Sequence, residues 1–277
     1  MYRPLSVLPV ACVALALLVP MASLAQPADQ VFPGAKWEQK APRELGMDEG
    51  KLAQFAQQVG GFGCVIKDGY LVYTWGDPYQ QQDWYSAAKP VLSTLLLMAV
   101  AEGKLPSVDA PLADYWPLSD KDKAMTFRHL ADMTSGYMRP EKPGEAWAYN
   151  DYAIQLYVLS LRKVFGQSLN QAIRQRLGDL QFEDRRLFSP ERHHAGGRLD
   201  TTPLDFARIG WLWLNKGRWK DRQLIPRELF EQCCKPDVPA DLPASHGEQM
   251  EDYLGGESYG GSSKQTKFGP GIYGFNW

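Results

Sequence analysis

The stretch Ser86-Ala87-Ala88-Lys89-Pro90-Val91-Leu92-Ser93-Thr94-Leu95-Leu96-Leu97-Met98-Ala99-Val100-Ala101 decides how the rest of this chain is read. From Pro90 onward it is apolar on every face (Val91, Leu92, Leu95, Leu96, Leu97, Met98, Val100), so a helix here must be buried all round. Proline is tolerated in a first helical turn, where no intrahelical donor is lost, and Gly103 marks the end. Ser86 and Lys89 stand at i and i+3 and share a face, which lets the amine reach the hydroxyl. A serine at a helix start also sits beside unpaired N–H groups and a dipole that favours a developing anion. The spacing alone fits a helix cap equally well. Ser160-Leu161-Arg162-Lys163 repeats it, but inside a helical pattern with no free N–H groups nearby, and reads as structural.

Working outward, residues 46–59 suggest a short amphipathic helix. Cys64-Val65-Ile66 and Tyr70 to Trp75 flank Asp68-Gly69, a strong hairpin signal. Residues 105–200 read as a mostly helical subdomain with loops at 106–126 and 138–148 and helices over Tyr152–Phe165 and Leu169–Leu177. A further helix spans 203–216, capped by Thr202 and closed by Gly217. Residues 235–271 read as a long loop, and Ile272-Tyr273-Gly274-Phe275-Asn276-Trp277 as the start of a strand.

The first 25 residues have a short positive start, an uncharged run from Leu5 to Leu24 and a small-residue exit at Ser23-Leu24-Ala25. That is the pattern of a signal peptide, and it implies a periplasmic or secreted protein; an uncleaved membrane anchor is the alternative. Residues 26–277 then form one domain. A net charge of −2 and a pI near 6.1 supply no basic field for nucleic acid. Cys64, Cys233 and Cys234 form neither a disulfide framework nor a zinc pattern, although Cys64 could pair with one of the other two. His193 and His194 lack a third ligand at useful spacing, so no metal is expected, and no cofactor either.

A second element gives the serine its meaning. Pro143-Gly144-Glu145-Ala146-Trp147-Ala148-Tyr149-Asn150-Asp151-Tyr152 places a turn, an aromatic residue and Tyr-x-Asp at the mouth of a helix. With Ser86-x-x-Lys89, it resembles the serine β-lactamase-like superfamily, in the branch of class C-type β-lactamases, esterases and 6-aminohexanoate-dimer hydrolases. Arg128 to Tyr137 is similar to that family's His-Leu-Leu-x-x-Thr-Ser-Gly segment, and Gly196 to Gly210 to its Gly-Gly…Thr…Asp-x-Ala-Arg-x-Gly segment. The resemblance runs over roughly 35–277 in the expected order. It implies an α/β fold of the β-lactamase/transpeptidase type, an antiparallel sheet flanked by helices with a helical subdomain.

The resemblance also implies roles. Ser86 attacks a carbonyl to give an acyl-enzyme, and Lys89 with Tyr149 moves the proton. Neutralising a free lysine at pH 7 costs about 4.6 kcal/mol, so a shared proton between amine and phenol is the economical arrangement. Asp151 stands where the family has Asn. A carboxylate there would keep Lys89 charged and make Tyr149 the main base, while Asn150 is the alternative ligand-facing amide if the register slips. No Lys-Thr-Gly follows: His194-Ala195-Gly196 falls too early, and Lys264-Gln265-Thr266 lies in the long loop. The third box, the last strands and the C-terminal helix are expected beyond Trp277, and a missing oxyanion donor of this kind costs about 10²–10³ in rate. The implied partner is a small ester or amide substrate, with no nucleic acid, no membrane once the signal is removed, and the oligomeric state open. The competing readings are a penicillin-binding D,D-peptidase or β-lactamase, and an inactive relative.

Overall fold

The computed structural model describes residues 30–184, 199–247, 250 and 269–277. The segments 1–25, His193 to Arg198 and Lys264–Thr266, on which part of the sequence reading falls, lie outside the described residues. The chain divides into a unit over 1–30 and a larger one over 31–277, and only the second is considered further.

Its elements follow the local chemistry. Helix α1 (Glu49–Val59) starts on Asp48, whose carboxylate accepts the Lys51 N–H at 2.9 Å. Strands β1 (Gly63–Lys67) and β2 (Tyr70–Trp75) form the expected antiparallel hairpin, with Asp68 (φ 52°) and Gly69 (φ 86°) both left-handed as a tight turn of this kind requires. Strand β3 (Gln82–Asp83) leads through a 3₁₀ turn, Tyr85–Ala88, into α2 (Lys89–Ala101). Then come α3 (Phe127–Ala131), α4 (Asp151–Phe165) and α5 (Leu169–Arg176). Strand β4 (Asp200–Thr201) pairs back to β3, α6 runs Pro203–Leu214, β5 (Arg218–Trp219) and β6 (Arg222–Gln223) make a small hairpin, and α7 covers Arg227–Cys233.

Helix α2 is the central strut. Pro90 through Ala99 are all buried, so the unbroken apolar run has the surroundings it demands. It packs on α4, whose Leu156, Tyr157, Val158 and Leu161 are fully buried, and each such leucine contributes about 1.5–3 kcal/mol by leaving water. Thr94 Oγ1 donates to the Pro90 carbonyl and accepts the Trp213 Nε1–H, which fastens α6 to the same strut. No helix among the described residues is long and apolar enough to cross a membrane.

One expected strand is not a strand. Residues 272–277 fold into turns: Phe275 and Asn276 have φ of 49° and 66°, which no β-ladder allows. Their N–H groups go to Asp132 Oδ1 (2.7 Å) and the Ala131 carbonyl (2.9 Å) in place of a neighbouring strand. Gly274 passes so close to the Lys235 carbonyl that a Cβ would lie 2.1 Å from it. The alternation of apolar side chains there serves docking: Phe275 is fully buried, and the Trp277 ring packs 4.4 Å from Trp213. Cys64, Cys233 and Cys234 are free thiols, and Cys64 Sγ donates to the Pro203 carbonyl at 3.6 Å.

Candidate active site

The turn carrying Ser86 is fixed from the side of β4. Trp84 donates its N–H to the Leu199 carbonyl (2.9 Å) and its indole N–H to the Thr201 carbonyl (3.0 Å), and its ring packs 4.9 Å from Phe206 on α6. The 3₁₀ turn then presents Ser86 to solvent one turn ahead of α2, whereas the sequence suggested that Ser86 itself opens the helix. The i, i+3 geometry survives that difference: Lys89 Nζ donates to Ser86 Oγ at 2.8 Å. Ala88 is buried against the core and holds the turn down, and Lys89 is half-buried.

Tyr149 arrives on the opposite wall, its ring centroid 4.9 Å from Lys89 Nζ. Its backbone is pinned on both sides. Ala148 donates to the Met133 carbonyl (2.9 Å) and Trp147 to the Pro243 carbonyl (2.9 Å). Asn150 caps α4: Oδ1 accepts the Tyr152 and Ala153 N–H groups, and Nδ2 donates to the Tyr137 carbonyl at 2.6 Å. The buried Asn150 amide, with its oxygen and one of its two N–H groups bound to these partners, braces the start of α4 next to Tyr149. Asp151 occupies the first turn of α4, where its charge suits the helix dipole. The described contacts of Lys89 run to Ser86 and to the Tyr149 ring, with Asp151 not among them.

The segment Arg128 to Tyr137 turns out to be the cradle of Tyr149. Met133, Thr134 and Tyr137 supply the carbonyls that hold Ala148, Gly144 and Asn150. His129 closes a capping box with Thr126 beneath Gly144, and burial lowers its pKa, so the ring is kept neutral as a structural acceptor. Asp205 and Arg208 of the Asp-x-Ala-Arg segment form a buried hub. Asp205 accepts the Glu183 and Asp184 N–H groups, while Arg208 donates to the carbonyls of Gly34, Ala35 and Leu180 and to Glu183. Ser160 takes the Trp116 indole N–H at 2.8 Å and donates to the Leu156 carbonyl, deep in the core, as its helical setting suggested.

Sequence reasoning missed Tyr273. Its ring meets Trp147 edge-on at 5.6 Å and its hydroxyl donates to Asn276 Oδ1 (3.2 Å). Burial holds its phenol well above the ordinary range, and the nearby Tyr149 phenol pushes the same way. Its only sequence signal was an apolar pattern that read as a strand. Two grooves, about 420 Å³ beside Lys40 and Tyr73 and about 350 Å³ beside Arg162 and Ser168, include neither Ser86, Lys89 nor Tyr149. Among the described residues, no cluster of three or more His, Cys, Asp or Glu is placed to hold a metal.

The sequence model of the family described as Beta-lactamase matches residues 49–207. Solved structures share the fold at low identity. A penicillin-binding protein homologue from Pyrococcus abyssi, described as octameric, is 19% identical with a TM-score of 0.58, over 74% of this chain and 64% of that one. A candidate 6-aminohexanoate-dimer hydrolase from Bacillus anthracis is 18% identical (TM-score 0.56, 80% and 72%). A beta-lactamase from Mycobacterium bovis is 19% identical (0.53, 70% and 73%). At these identities the likeness is one of fold, and the chain spans between 64% and 73% of the length of these structures. No curated protein sequence matches it.

Proposed function

The chain belongs to the Beta-lactamase family, and from that premise we propose that it is a serine hydrolase that cleaves small esters or amides through an acyl-enzyme on Ser86. The observation that carries this reading is the 2.8 Å contact between Lys89 Nζ and Ser86 Oγ, on a solvent-facing turn, with the Tyr149 ring 4.9 Å from the same amine. A lysine serving only the fold would not spend its amine on an exposed serine beside a tyrosine.

In this reading Ser86 Oγ attacks the substrate carbonyl carbon, and its proton passes to the Lys89–Tyr149 pair. That pair returns the proton to the departing alcohol or amine as the C–O or C–N bond breaks. Water then attacks the acyl ester and gives one proton to the pair, which passes it to Ser86 Oγ as the acyl C–Oγ bond breaks and the carboxylic acid leaves. In this reading Tyr149 is the proton acceptor, with Lys89 Nζ between Ser86 Oγ and the Tyr149 ring. The Ser86 N–H, at the head of the 3₁₀–α run, is one oxyanion donor. The reading also places the chain outside the cytoplasm, since residues 1–25 have the signal-peptide pattern.

The test is hydrolysis of a p-nitrophenyl ester and of a chromogenic cephalosporin by the full chain, S86A and K89M. Ester turnover abolished in both variants supports the reading, and turnover persisting in S86A overturns it. Cephalosporin turnover exceeding ester turnover would move the assignment to a β-lactamase.

A further inference from the structure

Backbone hydrogen bonds fix where Tyr149 sits in its wall, but they leave the torsions of its ring open. Among the described residues no hydrogen bond turns that ring. Its described neighbours are the Lys89 amine, 4.9 Å from the centroid, and the Tyr273 phenol, whose ionisation the Tyr149 phenol opposes. Tyr273 itself is firmly held. Its carbonyl accepts the Asp237 and Val238 N–H groups (3.0 Å each), its ring meets Trp147 edge-on at 5.6 Å, and its hydroxyl donates to Asn276 Oδ1 at 3.2 Å. Trp147 bridges Ala244 as a strand residue would and precedes Tyr149 by two, so the two side chains leave the chain on one side. Asn276 ties this group to the helix that carries Lys89. It is 6% exposed, its N–H donates to the Ala131 carbonyl at 2.9 Å, and its Nδ2 donates to Ser93 Oγ at 2.9 Å. Ser93 is fully buried on α2, one turn beyond Lys89 and on the same face. A path of contacts therefore runs from the lysine's helix through Ser93, Asn276 and Tyr273 to the wall that holds Tyr149.

We propose that Tyr273 is a positioning residue for the reaction: braced by Asn276 against Ser93, it sets the orientation of the Tyr149 ring at the Lys89 amine. The inference rests on the reading of Ser86 as nucleophile and Tyr149 as its proton acceptor. It assigns a task to a buried polar cluster that does not touch the reacting atoms.

The experiment is a double-mutant cycle in the full chain, read as the rate of Ser86 modification by a fluorophosphonate, with the saturating rate separated from the half-saturating concentration. A group misplaced by about 1 Å costs up to about 100-fold, so Y273A should lower the saturating rate about 10–100-fold and leave the half-saturating concentration within about 2-fold. Y273F keeps the ring and should restore the rate to within about 3-fold of the unaltered chain. N276A leaves the Tyr273 hydroxyl without its acceptor and should slow the reaction about 3–10-fold; it carries the test where Y273A does not fold. On a Y149F background the loss from either variant should shrink to under about 2-fold, because no phenol remains to be oriented. An unaltered rate in the folded variant, Y273F as slow as Y273A, or an equal loss on both backgrounds overturns the proposal. Absence of any adduct on the unaltered chain would instead count against the nucleophile. The positioning claim is then decided by the ring-current shift of the Lys89 methylene protons, taken as the difference from Y149F. A shift reduced in the folded variant and kept in Y273F supports it, and a shift that the variant leaves unchanged overturns it.

Discussion

Replacing Asp132 by Asn should make the protein more stable at neutral pH and leave it unchanged at pH 4. Asp132 ends α3 beside the cradle of Tyr149, is 5% exposed, and accepts the Phe275 N–H at 2.7 Å. Burial raises its carboxyl from 3.8 to about 6; the Phe275 N–H and Arg128 oppose that, while Asp237 and Asp109 add to it. Because the folded chain holds this proton more tightly than the unfolded one, the group favours the fold below about pH 4, and that contribution is lost as pH rises to about 6. The span of about two pH units corresponds to about 3 kcal/mol. Asn keeps an acceptor for Phe275 and has no proton to lose. The stability difference between D132N and the unaltered chain should therefore be near zero at pH 4, grow through pH 5 and 6, and level off near 3 kcal/mol at pH 7. For a chain of this size that is about 6–12 °C in Tm. Urea and thermal unfolding at four pH values reads it directly, and titrating groups that do not interact with Asp132 cancel in the difference. A difference that does not change with pH, or that favours the carboxylate at pH 7, would refute the reasoning.

Three further expectations follow from the site and its supports. Asp205→Ala should cost about 3–5 kcal/mol, because it leaves the fully buried Arg208 with one carboxylate in place of two and frees the Glu183 and Asp184 N–H groups; denaturant unfolding measures it. Asn150→Ala should cost about 2 kcal/mol through the lost cap of α4 and the unpaired Tyr137 carbonyl, and should also slow ester hydrolysis by releasing Tyr149, which thermal unfolding and kinetics report together. Asp151→Asn, which removes a carboxylate two residues along the chain from Tyr149, should move the acid limb of the kcat/KM profile to lower pH. An unmoved limb would show that Asp151 does not couple to Lys89 and Tyr149.

Much of this was legible in the sequence wherever a residue's local setting fixes its role. The run from Pro90 to Ala99 could only be a buried helix, and Asp68-Gly69 between two β-rich segments could only be a hairpin turn. Ser86 and Lys89 were bound to meet because three residues of helical rise bring them together. What escaped depends on contacts distant along the chain. The two-residue ladders β3–β4 and β5–β6 are too short to show a period, yet β3–β4 sets the entry to the turn carrying Ser86. Asn150 was held open as a ligand-facing amide because its burial depends on the Tyr137 carbonyl thirteen residues earlier. Residues 272–277 carry strand-like alternation, but Asp132 and Ala131 accept their N–H groups, and sequence alone does not show an acceptor 143 residues away. Cys64 and the Cys233–Cys234 pair were open to pairing on count alone, and the structure sets Cys64 against Pro203.

The central claim, that Ser86 is a nucleophile activated by Lys89, is tested most directly by the intact mass of the full chain after exposure to a fluorophosphonate. One adduct per chain is expected, located on the peptide containing Ser86, absent from S86A and formed at least about 100-fold more slowly in K89M. A folded chain that gains no mass, or an adduct on another serine that persists in S86A, would contradict it.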